Sequence, residues 1–169
     1  MIPANMHAAA FRSGGTATLS TDDIVAIYQL EACCHHAVDH DDQSLLPLVF
    51  TEDARFDGRL CGGPLCEGLA AIAAFFALGK PPHPPSHHMT NCWVREDAGR
   101  ILVKMKWLVP DARTGRMHVG DNDDWVVPTD SGWRIKERIA SIRTPAPFGS
   151  DDWAEPRATT IAEAEEKDG

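Results

Sequence analysis

The spacing of apolar side chains changes part-way along the chain, and it first follows a helical period. In residues 20–39 apolar positions recur every three or four residues, at Ile27, Leu30, Cys34 and Val38, which is typical of a helix with one buried face. Ser20 or Thr21 precedes two aspartates and is a suitable N-terminal cap. We therefore expect a first helix that begins at this cap and ends near Asp39.

Two further helices are predicted before the period changes. The segment "SLLPLVF", residues 44–50, is compatible with a short helix because its proline falls near the first turn. The segment "GLAAIAAFFALG", residues 68–79, is predicted as a third helix, which ends at its final glycine and the prolines that follow.

After these prolines the apolar positions alternate with a period of two, which predicts strands. Four such segments are joined by the short turns "DAG", "DARTG" and "TDSG". The segments are "HHMTNCWVRE", "RILVKMKWLVP", "RMHVGDNDDWVVP" and "GWRIKERIASI". Consecutive strands with short connections form an antiparallel meander, so the predicted fold class is α+β, with three N-terminal helices packed on a curved antiparallel sheet.

The two ends of the chain differ from the segment between them. Residues 1–19 are small, polar and aperiodic, and residues 146–169 are rich in proline and acidic side chains. Both segments are predicted as tails. The chain has 169 residues and is 43% hydrophobic, which is enough for one domain with its own core. We place that domain at residues 20–145.

The net charge of the chain argues against some classes of binding partner. The chain carries 16 Lys and Arg against 25 Asp and Glu, a net charge of -9, so its surface should repel nucleic-acid phosphates and anionic membranes. The longest apolar run, "LAAIAAFFAL", is too short to span a bilayer, and the N-terminus does not resemble a signal peptide. We expect a cytoplasmic protein with a small-molecule substrate and with neither nucleic-acid nor membrane partners.

The cysteines and the adjacent histidines do not predict a metal site. Five cysteines, an odd number, favour free thiols over a disulfide framework. Four consecutive helical residues, as in "CCHH", point around most of a turn and cannot converge on one ion, and no CxxC pair occurs. We therefore predict no metal ligands and no cofactor.

Strand alternation assigns the candidate polar residues to faces of the sheet. In the first predicted strand of the meander, one face carries His87, Met89, Asn91 and Trp93, and His88 points to the other face. In the second strand the apolar face includes Met105 and Trp107, and continued alternation brings Asp111 to the end of that face. A bulge would reverse its direction.

The first helix carries an acidic and histidine-containing series at one-turn spacing. Glu31, His35 and Asp39 lie at positions i, i+4 and i+8. This series is either a solvated charge ladder, the favoured interpretation, or an arrangement that places His35 near a cavity. Asp39 would lie at the negative end of the helix dipole, so its carboxylate is either solvated or held there for another reason.

Four segments in order resemble a known family. "AVDHDDQSLLPLVFTEDARFDG", "GLAAIAAFF", "SHHMTN" and "DSGWRIKER" resemble the SnoaL-like branch of the nuclear transport factor two-like superfamily over about residues 20–143. The branch includes scytalone dehydratase, bile acid dehydratase, polyketide cyclases and ketosteroid isomerase. The resemblance implies a cone-shaped α+β barrel, open at one end, whose pocket lies between the helices and the concave sheet. It also implies a homodimer or homotrimer.

The same resemblance assigns candidate catalytic residues. The family's aspartate falls on Asp39 and its histidine on His87, while Asp111 stands where relatives carry a second histidine or an acid. The pocket tyrosines of scytalone dehydratase are replaced by Val38 and Gly58, which places its substrate in doubt here. The single tyrosine, Tyr28, lies on the first helix and could still reach the cavity.

These residues predict acid–base chemistry. His87 is expected to act as a general base, since an imidazole with a pKa near 6.5 is partly neutral at pH 7. Asp39 would fix its tautomer, and Asp111 would be either the proton donor or only a turn residue. The predicted reaction is a dehydratase-like elimination or an isomerisation.

The predicted pocket also includes apolar and polar side chains beyond these three. An apolar lining suits an aromatic or polycyclic substrate, although most aromatic residues serve as core. The candidates are Tyr28, His35, Phe56, Phe75, Met89, Asn91, Met105, Trp107 and Asn122. The alternative functions are a non-catalytic binding module, an accessory subunit of the kind found in ring-hydroxylating dioxygenases, or a polyketide-type cyclase.

Overall fold

The computed structural model describes residues 19–78, 86–110 and 115–143. Its helices are α1 (Thr21–Asp39), α2 (Leu46–Val49, preceded by a 3-10 turn at Gln43–Leu45) and α3 (Leu69–Phe76). Its strands are β1 (Phe50–Leu60), β2 (Leu65–Glu67), β3 (His88–Asp97), β4 (Arg100–Pro110), β5 (Met117–Thr129) and β6 (Gly132–Arg143). The predicted tails lie outside these ranges, apart from Leu19. None of the helices in these ranges has the length and apolarity needed to cross a membrane.

Helix α1 has the start and the end that its sequence predicts. The Ser20 hydroxyl accepts a hydrogen bond from the Asp23 backbone N–H at 3.1 Å, and the Asp23 carboxylate accepts one from the Ser20 N–H at 3.0 Å. This reciprocal capping box satisfies two of the N–H groups that a helix start leaves unpaired. The helix ends at Asp39, as expected.

The sheet has six strands in the order β2-β1-β6-β5-β4-β3. The predicted meander of β3 to β6 is confirmed, but the prediction of a purely antiparallel sheet is wrong, because β1 pairs with β6 in parallel. The predicted helix at residues 44–50 is shorter than expected, and Phe50 already begins β1. Charged residues interrupt the apolar alternation of β1, so its sequence lacks the usual strand signal. Within the described ranges β2 and β3 do not pair, and the α+β sheet stays open.

One face of the sheet, which we call the inner face, packs against α1. The core between them includes Ile27 and Leu30 of α1 and Val103, Met105 and Ile135 of the sheet. These five side chains are at most 6% exposed. The inner face is therefore the buried layer of the domain, and it also receives the polar side chains described below.

A bulge in β3 changes the predicted face of one aromatic residue. Asn91 adopts a φ of 53°, and the pairing of β3 with β4 shifts register between Thr90 and Trp93. One extra residue in β3 reverses the alternation beyond that point. The prediction that Trp93 shares a face with Met89 is therefore wrong, and Trp93 is 40% exposed.

Candidate active site

His87 and Asp39 meet where the end of α1 lies beside the start of β3. The His87 Nδ1 lies 2.7 Å from Asp39 Oδ1, and the His87 backbone N–H donates to Asp39 Oδ2 at 2.8 Å. Both side chains are mostly buried, with 18% and 14% exposed. The contact expected from the sequence is thus present. Asp39 is held at its helix end by two hydrogen bonds rather than by solvent alone.

This contact selects a tautomer of His87. An ionised carboxylate only accepts hydrogen bonds, so Asp39 favours the form in which Nδ1 carries the proton. In that form the lone pair lies on Nε2, the atom that can take up a proton. The backbone bond to the second carboxylate oxygen fixes the position of the pair.

His35 lies one turn before Asp39 on α1 and stacks on His87. The two ring centroids are 5.4 Å apart and the planes are nearly parallel, at 7°. Burial, followed by the positive charges of Arg138 and of a protonated His87, lowers the pKa of His35 to about 2. His35 is therefore a neutral imidazole at physiological pH.

A cluster of buried charged side chains lies on the inner face, next to the part of α1 that precedes His35. Arg138 of β6 donates to Asp124 of β5, with Nε 2.9 Å from Oδ1, and it also donates to Glu31. Arg138 Nη1 lies 2.9 Å from the Cys34 sulfur. Burial, followed by the negative charge of Asp124, raises the pKa of Glu31 well above its usual range. One guanidinium thus donates to two carboxyl groups, and the raised pKa favours the neutral form of Glu31.

The sequence did not assign this cluster to the site. The favoured interpretation of Glu31 and His35 as a solvated ladder is wrong, because that side of α1 faces the sheet and leaves the two residues 0% and 7% exposed. Arg138 is not among the residues that the sequence pattern assigns to the site. The available signal was Asp124, which stands in a strand where alternation predicts an apolar side chain.

Most of the predicted pocket residues lie in the buried layer. Met105, Trp107 and Asn122 belong to β4 and β5 and are buried. Phe56 is buried and contacts Phe75 with ring centroids 5.7 Å apart. The remaining inner-face candidate is Met89, which is partly buried and is paired with Trp107 across the two strands.

Two predicted pocket residues lie elsewhere. The Tyr28 hydroxyl donates to the Cys92 carbonyl at 2.6 Å, and the residue is 38% exposed, so it links α1 to β3 rather than lining the pocket. Asn91 occupies the β3 bulge and is exposed, because its positive φ turns it away from the inner face. Asp111 lies outside the described residues.

The domain matches a known family over most of its length. Residues 20–139 match the SnoaL-like domain. The chain belongs to the SnoaL-like family.

Solved structures agree with this assignment, whereas a search of curated proteins found no match. A candidate aromatic ring hydroxylase from Novosphingobium aromaticivorans is 28% identical, covers 76% of this chain and 94% of its own, and has a TM-score of 0.60. A nuclear transport factor 2-like protein from the same organism is 21% identical, covering 78% and 86%, with a TM-score of 0.61. A protein of unknown function from Nostoc punctiforme, with a cystatin-like fold, is 14% identical, covering 78% and 98%, with a TM-score of 0.65.

This SnoaL-like domain also has a cavity on its outer face, the face opposite to α1. It has a volume of about 250 Å³ and is lined by side chains of β1, β2, β5 and β6, including Trp125, Arg55 and Glu137. Trp125 and Glu137 alternate with Asp124 and Arg138 and so point away from α1. Arg55 and Glu137 already form an ion pair at 2.8 Å. The acid–base candidates lie on the inner face, and we assign the site there.

Proposed function

We propose that this SnoaL-like protein is a lyase of the dehydratase type, or an isomerase, that acts on a small apolar molecule with an aromatic or polycyclic skeleton. The observation that carries the proposal is the pair of hydrogen bonds by which Asp39 holds His87. A carboxylate that binds both the ring and the backbone of a histidine orients the imidazole for proton transfer. An ordinary surface carboxylate has no need of such an arrangement.

The proposed chemistry begins with proton removal from a carbon next to a carbonyl group. His87 Nε2 takes the proton, and Asp39 stabilises the imidazolium that forms. In an elimination, the C–O bond to a β-hydroxyl then breaks, and the hydroxyl leaves as water after receiving a proton from an acid. Asp111 is the acid that we propose from the sequence. In an isomerisation, His87 returns the proton to a different carbon.

The strands that follow His87 carry apolar side chains on the inner face, which suit an apolar substrate. Met105 and Trp107 are 2% and 8% exposed on the inner face, and Met89 is paired with Trp107. An apolar wall weakens the solvation of charges, which strengthens the interaction between Asp39 and a protonated His87. This environment supports a proton transfer that needs no charged substrate group.

A non-catalytic role is the second candidate. The 28%-identical neighbour, a candidate aromatic ring hydroxylase, favours a role for this chain in aromatic-ring metabolism, including that of an accessory subunit. Such a subunit would bind without turnover, and its histidine and carboxylate would not need to act together. The two roles are therefore separated by measuring whether loss of His87 abolishes a reaction.

The experiment uses 3-hydroxy-1-tetralone, a bicyclic aromatic ketone whose loss of water gives 1-naphthol. The wild-type protein should accelerate formation of the fluorescent naphthol. His87→Ala should slow the reaction about 10²- to 10⁴-fold, the usual contribution of a general base. His88→Ala changes an exposed neighbour and should have little effect. Equal effects of the two substitutions would exclude His87 as the base.

A further inference from the structure

The side chain of His35 is buried, and its Nδ1 has no hydrogen-bond partner among the described residues. His35 as a whole is 7% exposed, and its Nδ1 atom is fully buried. Buried polar side chains nearly always have a partner, and an imidazole without one loses its hydration with no compensation. Its stacking on His87 positions the ring but does not give Nδ1 a hydrogen-bond partner.

Glu31 has a second unsatisfied atom on the same face of α1. Its Oε2 accepts from Arg138, whereas its Oε1 is buried and has no partner among the described residues. Residues four apart on a helix are neighbours on its surface, so Glu31 and His35 lie side by side. A protonated carboxyl group can both donate and accept a hydrogen bond, as can a neutral imidazole.

We propose that His35 and Glu31 form a subsite that hydrogen-bonds an uncharged oxygen atom of the substrate, a hydroxyl or a carbonyl, beside the His87–Asp39 pair. The subsite rests on the proposed function, since it supplies a binding contact for the same substrate. The ring centroids of His35 and His87 are 5.4 Å apart. A small ring system could therefore place its reacting carbon at His87 and its oxygen atom at His35.

The charges around the subsite explain why the oxygen is uncharged. The positive charge of Arg138 is already engaged by the Asp124 carboxylate, at 2.5 Å. Asp39, one helical turn after His35 on α1, carries a further carboxylate. An anionic substrate group would therefore meet carboxylates and an Arg138 charge that is already paired, whereas a hydroxyl or carbonyl gains a hydrogen bond without adding charge.

The test compares the binding of 2-naphthol with that of naphthalene, which has the same rings and no oxygen. Titrations followed by tryptophan fluorescence should show that the wild-type protein binds 2-naphthol about tenfold more tightly, the effect of one good hydrogen bond. His35→Phe keeps an aromatic ring for stacking but removes both nitrogens. It should abolish the preference and retain naphthalene binding.

His36→Phe is the matched control, because His36 is the next residue on α1 and is exposed. It should keep the wild-type preference. An equal preference in wild type and His35→Phe would overturn the subsite, as would a wild-type protein that binds neither compound. A wild-type protein that prefers 2-naphthol without dehydrating 3-hydroxy-1-tetralone would instead support the subsite and contradict the proposed lyase.

A crystal structure of the wild-type protein tests the same inference without any variant. Ordered water or a bound ligand oxygen within hydrogen-bond distance of His35 Nδ1 would support a subsite for an oxygen atom. A protein donor or acceptor at that position would overturn it, since His35 would then be an ordinary satisfied core residue.

Discussion

Replacing Asp39 with asparagine should separate an orienting carboxylate from an ordinary helix-end residue. Asparagine keeps the shape but offers one oxygen and one NH₂ group, so it cannot accept both the 2.7 Å and the 2.8 Å hydrogen bonds from His87. If its NH₂ group faces Nδ1, it favours the tautomer whose Nε2 is protonated and cannot act as a base. Loss of an orienting carboxylate elsewhere costs up to about 10⁴-fold in rate. We expect at least about a 10²-fold loss of turnover.

The same change should also affect stability. A hydrogen bond to a charged group contributes about 1.5–3 kcal/mol. Removing a carboxylate from a helix C-terminus returns about 0.3–1 kcal/mol, since the helix dipole disfavours negative charge there. The expected net destabilisation is about 1–2 kcal/mol, measured by urea unfolding. A helix-end residue without the contact would give a neutral or stabilising change.

The assay is a pH–rate profile of both proteins with 3-hydroxy-1-tetralone. The acid limb should move to lower pH in Asp39→Asn, because the charge that favours imidazolium has been removed. Asp41→Asn is the control, since Asp41 is exposed and its φ of 55° is one that asparagine readily adopts. Unchanged turnover with an unchanged acid limb in Asp39→Asn would refute the pairing.

Two further predictions concern the buried layer. Because the pKa of Glu31 is raised above 4.5, its stabilising contribution is complete below that pH and is lost as the pH rises toward the folded-state pKa. Glu31→Gln should therefore gain stability relative to wild type by up to about 1.4 kcal/mol per pH unit as the pH rises above about 5. A pH-independent difference in urea unfolding would contradict this. Gly120→Ala would place a Cβ 1.9 Å from the Trp107 ring, so thermal and urea unfolding should show a loss of about 3 kcal/mol. Gly63→Ala, with its nearest atom at 3.4 Å, should change stability by less than about 0.5 kcal/mol.

The fold was predictable from the sequence where periodicity was regular. The capped helix α1 and the four-stranded meander follow from their three- to four-residue and two-residue spacings. Strand β1 was missed because the side chains of Arg55 and Asp57 form ion pairs on the outer face instead of an apolar alternation. The bulge at Asn91 was also missed, since one residue with positive φ leaves no trace in a hydrophobic pattern.

The site was predictable only in part, for a different reason. The contact of His87 with Asp39 was expected from the family resemblance and from the unfavourable position of a carboxylate at a helix end. The buried Glu31 and Arg138 were not expected, because charge alone suggests exposure. Their burial depends on a contact between α1 and β6, which are separated by about a hundred residues of sequence, and local patterns carry no information on such pairs.

The central claim is that His87 removes a proton from carbon, and deuterium exchange measures that step directly. In D₂O, 1-tetralone has an exchangeable C–H next to its carbonyl group and no hydroxyl group to lose. Proton NMR should show that the wild-type protein and His88→Ala incorporate deuterium at this carbon. His87→Ala should do so at least about 10²-fold more slowly. Exchange by His87→Ala at the wild-type rate would contradict the account.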